Sequence, residues 1–230
     1  MFAIAGGASL GYAAPMAGKW HDSWREGRIG FHQSDVHNDL VAYEARFLAG
    51  GPHRILVPLC GKTVDLIWLA ERGHEVVGVE LVPQAVDEFF AEQELAATES
   101  EVDGLRVVTS GKIQLVNGDF FAVSTAHFGS FDRIWDRAAL VALPDEIRGR
   151  YVAHLRSLGA PSALVLQNVF EYDQSKMAGP PFSVNDNEVR RHYQGAEIEL
   201  LSEKDVIAKA PQFQAKGHEY WLTRNYLMTL

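Results

Sequence analysis

Short apolar runs recur along this chain, and segments with the apolar spacing of amphipathic helices separate them. The runs predict strands at residues 54–59, 75–79, 112–116, 131–135 and 162–167, with a closing pair of strands at 197–201 and 220–228. The helical spacing predicts helices at residues 34–49 and 62–72, a third that starts at Pro83 and a fourth that starts at Pro144. Strands that alternate with helices in this way are typical of a parallel sheet covered on both faces.

The expected fold class is therefore α/β: a doubly wound, mostly parallel, seven-stranded Rossmann-like sheet with helices on both faces and a helical N-terminal part lying over it. No internal repeat or low-complexity linker divides the chain, so residues 19–230 are expected to form a single domain. The loop at residues 171–187 contains Gly179-Pro180-Pro181 and is long enough to suggest a functional role.

Residues 1–18 do not share this pattern. They carry no charge and contain four glycines, and they have neither the basic start nor the unbroken apolar centre of a signal peptide. We expect a disordered extension or an incorrectly assigned start. An export signal and a segment that folds onto the domain are the alternatives.

The composition and net charge of the chain exclude several classes of protein. Hydrophobic residues make up 47% and charged residues 22%, which fits a packed globular protein and excludes disorder. The single cysteine excludes a disulfide framework and a cysteine-rich metal site, and it fits a cytoplasmic location. The net charge of −9, without any Lys/Arg cluster, argues against a nucleic-acid partner. No stretch approaches the apolar length of a membrane span, so no membrane partner is expected.

The turn after the first predicted strand is Cys60-Gly61-Lys62-Thr63. A phosphate-binding loop needs a glycine five residues before Gly61, where Leu56 stands, so nucleotide hydrolysis is excluded. The three-glycine loop of dinucleotide-binding proteins is absent as well. Gly61 alone allows a tight turn that leaves the end of the strand open to a ligand.

Polar residues follow the next strands. Glu80 lies 19 residues after Gly61, where an acid is placed to accept the hydroxyl groups of a ribose, although a solvated loop carboxylate explains it equally well. Asp119 follows the third strand and is placed to meet an adenine amine, with Phe120 as an apolar wall. The Asn-Gly-Asp sequence there is also a common loop.

Asp136 and Arg137 end the fourth strand. A charged pair after a buried strand needs a ligand or mutual pairing to offset its desolvation, and both interpretations stay open. Together these positions outline a nucleoside site without the glycines that a pyrophosphate needs. That combination favours S-adenosylmethionine over a nicotinamide dinucleotide.

From about residue 20 to residue 230 the sequence resembles the thiopurine S-methyltransferase family. The stretches that carry the resemblance are WHDSW (20–24), GFH (30–32), VPLCGK (57–62), GHEVVGVE (73–80), IWDR (134–137) and GPPF (179–182). The tryptophan pair and the VPLCGK run are more specific than a generic methyltransferase glycine loop. Several such stretches in the same order make coincidence implausible.

The resemblance implies a role for each matching position. It implies that the residues that bind S-adenosylmethionine are Trp24, Leu59, Glu80, Asp119, Phe120 and Arg137. It also implies that Phe31 and Arg137 border the methyl acceptor. The product of the cofactor would be S-adenosylhomocysteine. No residue is assigned as a general base.

The implied reaction is methyl transfer from a sulfonium to a small-molecule thiolate, or to its selenium or tellurium counterpart, by a monomer that needs no metal. Trp24 and Phe31 would line a water-poor pocket, although both also fit ordinary packing. The nearest alternative is a thiol or halide methyltransferase that acts on small nucleophiles. Alternatives from other classes are a nicotinamide-dependent oxidoreductase and a non-catalytic adenosyl-binding protein.

Overall fold

The computed structural model describes residues 14–230, and these contain one mixed sheet of nine strands. In chain order the strands are β1 (Arg54–Pro58), β2 (Glu75–Glu80), β3 (Thr98–Val102), β4 (Leu105–Ser110), β5 (Ile113–Asn117), β6 (Phe131–Arg137), β7 (Gly159–Glu171), β8 (Glu197–Asp205) and β9 (Leu222–Thr229). Their order across the sheet is β3-β4-β5-β2-β1-β6-β7-β9-β8. All seven predicted strands are present, although β7 and β8 extend up to four residues beyond their predicted ends, and the α/β class is confirmed.

The five central strands, β5-β2-β1-β6-β7, run parallel to one another. Strands β4 and β3 on one side and β9 and β8 on the other join by antiparallel pairing. The chain leaves β1 towards β2 on one side and returns to β6 on the other, so the order reverses at β1. The crevice beyond the carboxyl ends of β1 and β6 is therefore the expected ligand site of an open α/β sheet.

The predicted number of seven strands is wrong because the hairpin of β3 and β4 was not predicted. Strand β3 reads Thr-Glu-Ser-Glu-Val and lies at the exposed edge of the sheet, so it lacks the apolar run that marks a buried strand. Val102 pairs with Leu105 across a two-residue turn. Asp103 and Gly104 in that turn have φ values of 51° and 77°, which is the backbone that an Asp-Gly hairpin turn requires.

The helices cover both faces of the sheet. They are α1 (Ala14–Arg25), α2 (Asn38–Ala42), α3 (Glu44–Phe47), α4 (Asp65–Glu71), α5 (Pro83–Glu92), α6 (Thr125–Phe128), α7 (Asp145–Leu158), α8 (Asp186–His192) and α9 (Pro211–Gln214). The single helix predicted at residues 34–49 is wrong, because the backbone breaks at Tyr43 with φ −106° and ψ 10°. The break lets α2 bury Leu40 and α3 bury Phe47 in the same core.

Two buried clusters lie on opposite faces of the sheet. On one face, side chains of α4 and α5 such as Leu66 and Phe89 pack with Leu40 of α2. On the other face, α7 and α8 contribute Tyr151 and Val189. Burial on both faces explains why the central strands read as continuous apolar runs.

Helix α1 begins at Ala14, so the boundary predicted at residue 18 falls inside this helix. The rest of the predicted extension, residues 1–13, lies outside the described residues. Helix α1 packs on α5, and the ammonium of Lys19 donates a hydrogen bond to the Gly179 carbonyl at 2.9 Å. The N-terminal helix therefore contacts both α5 and the loop at residues 171–187.

Within residues 14–230, no helix combines the length and the apolar character that crossing a bilayer requires. The cytoplasmic location stays a prediction.

Candidate active site

The turn that follows β1 bends sharply at the carboxyl edge of the sheet. Leu59 adopts φ 48° and Gly61 adopts φ 57°, both in the left-handed region. For leucine this conformation is strained, and such strain concentrates at ligand and active sites. The Cys60 N–H donates to the Val79 carbonyl at 3.1 Å and so ties the turn to the end of β2.

Glu80 at the end of β2 is 7% exposed and forms hydrogen bonds with the backbone of this turn. Its Oε2 accepts the Gly61 N–H at 2.8 Å, and its Oε1 accepts the Val82 N–H at 2.7 Å. Burial raises the pKa of Glu80 above its usual value, and these backbone hydrogen bonds oppose the rise. The Leu81 N–H contributes a third backbone hydrogen bond, so of the about four acceptor positions of a carboxylate about one is left.

Trp24 of α1 covers the same turn from above. The Trp24 side chain is almost completely buried, and its Cζ2 lies 3.4 Å from the point where a Cβ at Gly61 would stand. The ring of Phe31 lies edge-on to Trp24, with centroids 6.0 Å apart, and edge-on to Trp20 at 5.6 Å. Phe31 keeps 38% of its surface exposed, so this aromatic group has one open side.

Arg137 at the end of β6 lies next to this aromatic group. Its Nη2 donates a hydrogen bond to the Phe31 carbonyl at 2.9 Å. Its Nε is buried and has no hydrogen-bond partner among the described residues. Burial lowers the pKa of Arg137 below its usual value, and the charge of Asp65 opposes this. A largely desolvated guanidinium with an unused donor is suited to binding an anion.

Asp136 does not pair with Arg137, so the interpretation of the two as a salt bridge is wrong. Neighbouring residues of a strand point to opposite faces of the sheet. Asp136 is fully buried on the other face, where its Oδ2 accepts hydrogen bonds from the Tyr151 hydroxyl at 2.9 Å and the Gln167 amide at 3.0 Å. Burial raises its pKa to about 6, despite these bonds.

Asp119 and Phe120 follow β5 at the same edge of the sheet. Asp119 Oδ1 accepts the Phe121 N–H at 3.0 Å and so caps a short 3₁₀ turn. The ring of Phe120 is 1% exposed and packs against Tyr151 and His154, with centroids 5.2 and 5.1 Å away. The ring thus lies in the core and has no free face. A contact between this position and adenine would have to come from its backbone.

Asp65 at the start of α4 is a further buried polar residue at this edge of the sheet. This carboxylate is 1% exposed, and it accepts the His37 N–H and the Trp135 indole N–H, each at 2.8 Å. It thereby fixes the segment after Phe31 over the carboxyl edge of the sheet. Its partners are 28 and 70 residues away in sequence, so no local pattern indicates the role.

Possible metal ligands gather elsewhere in the described residues. Side chains of Asp145, Glu188 and His192, on α7 and α8, place one ligand atom each within 4.8 Å of the others. Glu188 already pairs with the guanidinium of Arg148 at 2.6 Å. This group shares no residue with the site at the ends of β1, β2 and β6.

Comparison with known proteins identifies the family of this site. The sequence model of the thiopurine S-methyltransferase family matches residues 16–229. The chain is 41% identical to the thiopurine S-methyltransferase of Pseudomonas paraeruginosa over 210 residues, which cover 91% of this chain and 96% of that protein. It is 42% identical to the enzyme of the same name from Pseudomonas putida over 207 residues, 90% of this chain and 96% of that protein.

A solved methyltransferase shares the fold. The 1,6-didemethyltoxoflavin N1-methyltransferase of Burkholderia thailandensis, solved with S-adenosylhomocysteine bound, aligns with a TM-score of 0.63 at 19% identity, over all of this chain and 94% of that one. The expected methyltransferase fold is thus confirmed, and the oxidoreductase alternative is dropped. The chain belongs to the thiopurine S-methyltransferase family of S-adenosylmethionine-dependent enzymes.

Proposed function

We propose that this protein transfers the methyl group of S-adenosylmethionine to the sulfur of an aromatic or heteroaromatic thiolate. The observation that carries the proposal is the half-buried guanidinium of Arg137, whose buried Nε has no hydrogen-bond partner among the described residues, next to the half-open ring of Phe31. One group suits a negative charge and the other suits a flat apolar ring. Such a thiolate has both.

The cofactor end of the proposed site is the turn between Glu80 and Trp24. The remaining acceptor position of Glu80 suits a hydroxyl group of a ribose, and the absence of a side chain at Gly61 allows the ribose to approach the turn closely. Trp24 suits the sulfonium through a cation–π contact. Leu59, Asp119 and Arg137 lie at the same edge, and Phe120 belongs to the proposal through its backbone.

S-adenosylmethionine supplies a methyl group on a positively charged sulfur. In the proposed reaction the bond between that sulfur and carbon breaks as the acceptor sulfur bonds to the carbon, and the electron pair stays with the donor sulfur. Both charges disappear, so Trp24 and Phe31 favour the reaction by excluding water and holding the reactants in line. Arg137 favours the ionised acceptor, whose proton has already left to solvent, and no side chain is required as a general base.

The relatives support a thiol acceptor, since their names describe thiopurine S-methylation. Selenium and tellurium anions are also soft nucleophiles, and we include them as further acceptors. We further propose that the protein is a cytoplasmic monomer that uses no metal and binds no nucleic acid.

A competition assay tests the acceptor class. The purified protein is incubated with labelled S-adenosylmethionine and a mixture of mercaptopurine, thiophenol, hydrosulfide, iodide and hydroselenide, and the products are read by mass spectrometry. Preferential methylation of the two aromatic thiols is the expected result. Methanethiol, methyl iodide or methaneselenol alone would contradict the proposal and favour the small-nucleophile alternative.

A further inference from the structure

The ammonium of Lys62 connects the turn after β1, which belongs to the proposed cofactor site, to helix α5. Lys62 follows Gly61 in the chain and is only 7% exposed. Its Nζ donates hydrogen bonds to Glu88 at 2.7 Å and to Glu92 at 2.6 Å, both on α5. Burial alone would lower the pKa of Lys62, but the bonds to the two carboxylates outweigh it and hold the pKa above its usual value.

The same group contacts the helix that covers the turn. The Lys62 ammonium lies 5.9 Å from the centroid of the Trp24 ring. The Gln84 side chain donates to the Trp24 carbonyl at 3.4 Å and to Glu88 at 2.7 Å. Glu88 therefore receives hydrogen bonds from two side chains, each of which also contacts Trp24. We call Lys62, Gln84, Glu88 and Glu92 the lysine clamp.

We propose that the lysine clamp positions Trp24 over the Gly61 turn and thereby sets the affinity for S-adenosylmethionine. The inference rests on the cofactor site proposed above. Helix α1 packs on α5, and the clamp places a cation over the ring of its buried tryptophan and a hydrogen bond on the carbonyl of the same residue. Because Lys62 lies on the turn after β1 and contacts Trp24 of α1, the clamp holds the turn and α1 in a fixed relative position. Lys62 is a positioning residue that acts through Trp24 and Gly61.

Calorimetric titration of the whole protein with S-adenosylmethionine, without an acceptor, tests the inference. In Lys62→Met the apolar stem is kept and the ammonium is lost, and we expect Kd to rise about tenfold. The kcat at saturating cofactor should fall by a smaller factor than Kd rises, since Lys62 touches no reacting atom and acts only through Trp24 and Gly61. Lys62→Arg keeps the charge and the two carboxylate bonds and should recover most of the affinity.

Arg46→Met is the matched control, because Arg46 forms an exposed two-bond ion pair with Glu199 at 2.9 and 2.6 Å, away from this site. It should bind the cofactor like the wild type. If Lys62→Met does not fold, Glu88→Gln removes the charge from a more exposed position and should weaken binding in the same direction. Wild-type affinity in folded Lys62→Met or folded Glu88→Gln, or equal weakening in Arg46→Met, would overturn the inference. Failure of the wild type to bind the cofactor would instead refute the proposed function.

Discussion

The buried carboxyl of Asp136 should make this protein less stable as the pH rises from about 4 to about 6. Its pKa is raised from 3.8 to about 6, so the folded state binds a proton in a range where the unfolded state has released it. The stabilisation is complete below the unfolded value and is lost as the pH rises through the folded value. At about 1.4 kcal/mol for each pH unit between the two, the loss is about 3 kcal/mol.

The Asp136→Asn variant removes this titration while keeping the shape of the side chain. With its carbonyl oxygen in the place of Oδ2, the carboxamide can still accept from the Tyr151 hydroxyl and the Gln167 amide. The free energy of unfolding should be measured with urea at several pH values from 4 to 8. The variant should gain about 3 kcal/mol relative to the wild type across this range, most of it by pH 7.

Asp132→Asn is the control, since Asp132 is exposed on the same strand, and it should follow the wild-type pH dependence. The reasoning is refuted if the curves of wild type and Asp136→Asn run parallel from pH 4 to pH 8. That result would mean that the carboxyl of Asp136 titrates alike in the folded and unfolded states.

Three further predictions concern the carboxyl edge of the sheet. Glu80→Ala should weaken S-adenosylmethionine binding by about 1.5–3 kcal/mol, read by calorimetry, and unchanged affinity would remove Glu80 from the site. Arg137→Met should lower kcat/KM for thiophenol by about 10-fold or more. It should also move the rise of kcat with pH to higher pH, because the bound thiol loses the cation that favours its ionised form. An unchanged pH profile of kcat would contradict the role of Arg137 towards the anion. Gly61→Ala should lower the free energy of unfolding, measured with urea, by about 1–2 kcal/mol, because an alanine is strained at φ 57°. It should also weaken cofactor binding, because its Cβ would contact Trp24. A free energy of unfolding equal to that of the wild type would show that the turn tolerates a side chain.

The central strands were predictable because parallel strands buried on both faces leave continuous apolar runs in the sequence. Strand β3 was missed for the opposite reason, since its polar residues face solvent at the edge of the sheet. The Asp103-Gly104 turn was the available signal for that hairpin. The break at Tyr43 has no comparable signal, because the spacing of Leu40 and Phe47 also fits one continuous helix.

The candidate site was partly predictable from strand ends. Glu80 and Arg137 each end a parallel strand, and strands of one sheet bring their carboxyl ends to the same edge. The alternation of side chains along β6 could have excluded the pairing of Asp136 with Arg137. The partners of Lys62 could not be predicted, since Glu88 and Glu92 are 26 and 30 residues away and an ion pair leaves no periodic pattern.

A crystal structure of the protein with S-adenosylhomocysteine would show whether the cofactor binds at this edge of the sheet. We expect the ribose hydroxyl groups within hydrogen-bond distance of Glu80, the Trp24 ring against the ligand, and the sulfur facing the side of the pocket where Phe31 and Arg137 lie. A ligand bound elsewhere, or a ribose without contact to Glu80, would contradict it.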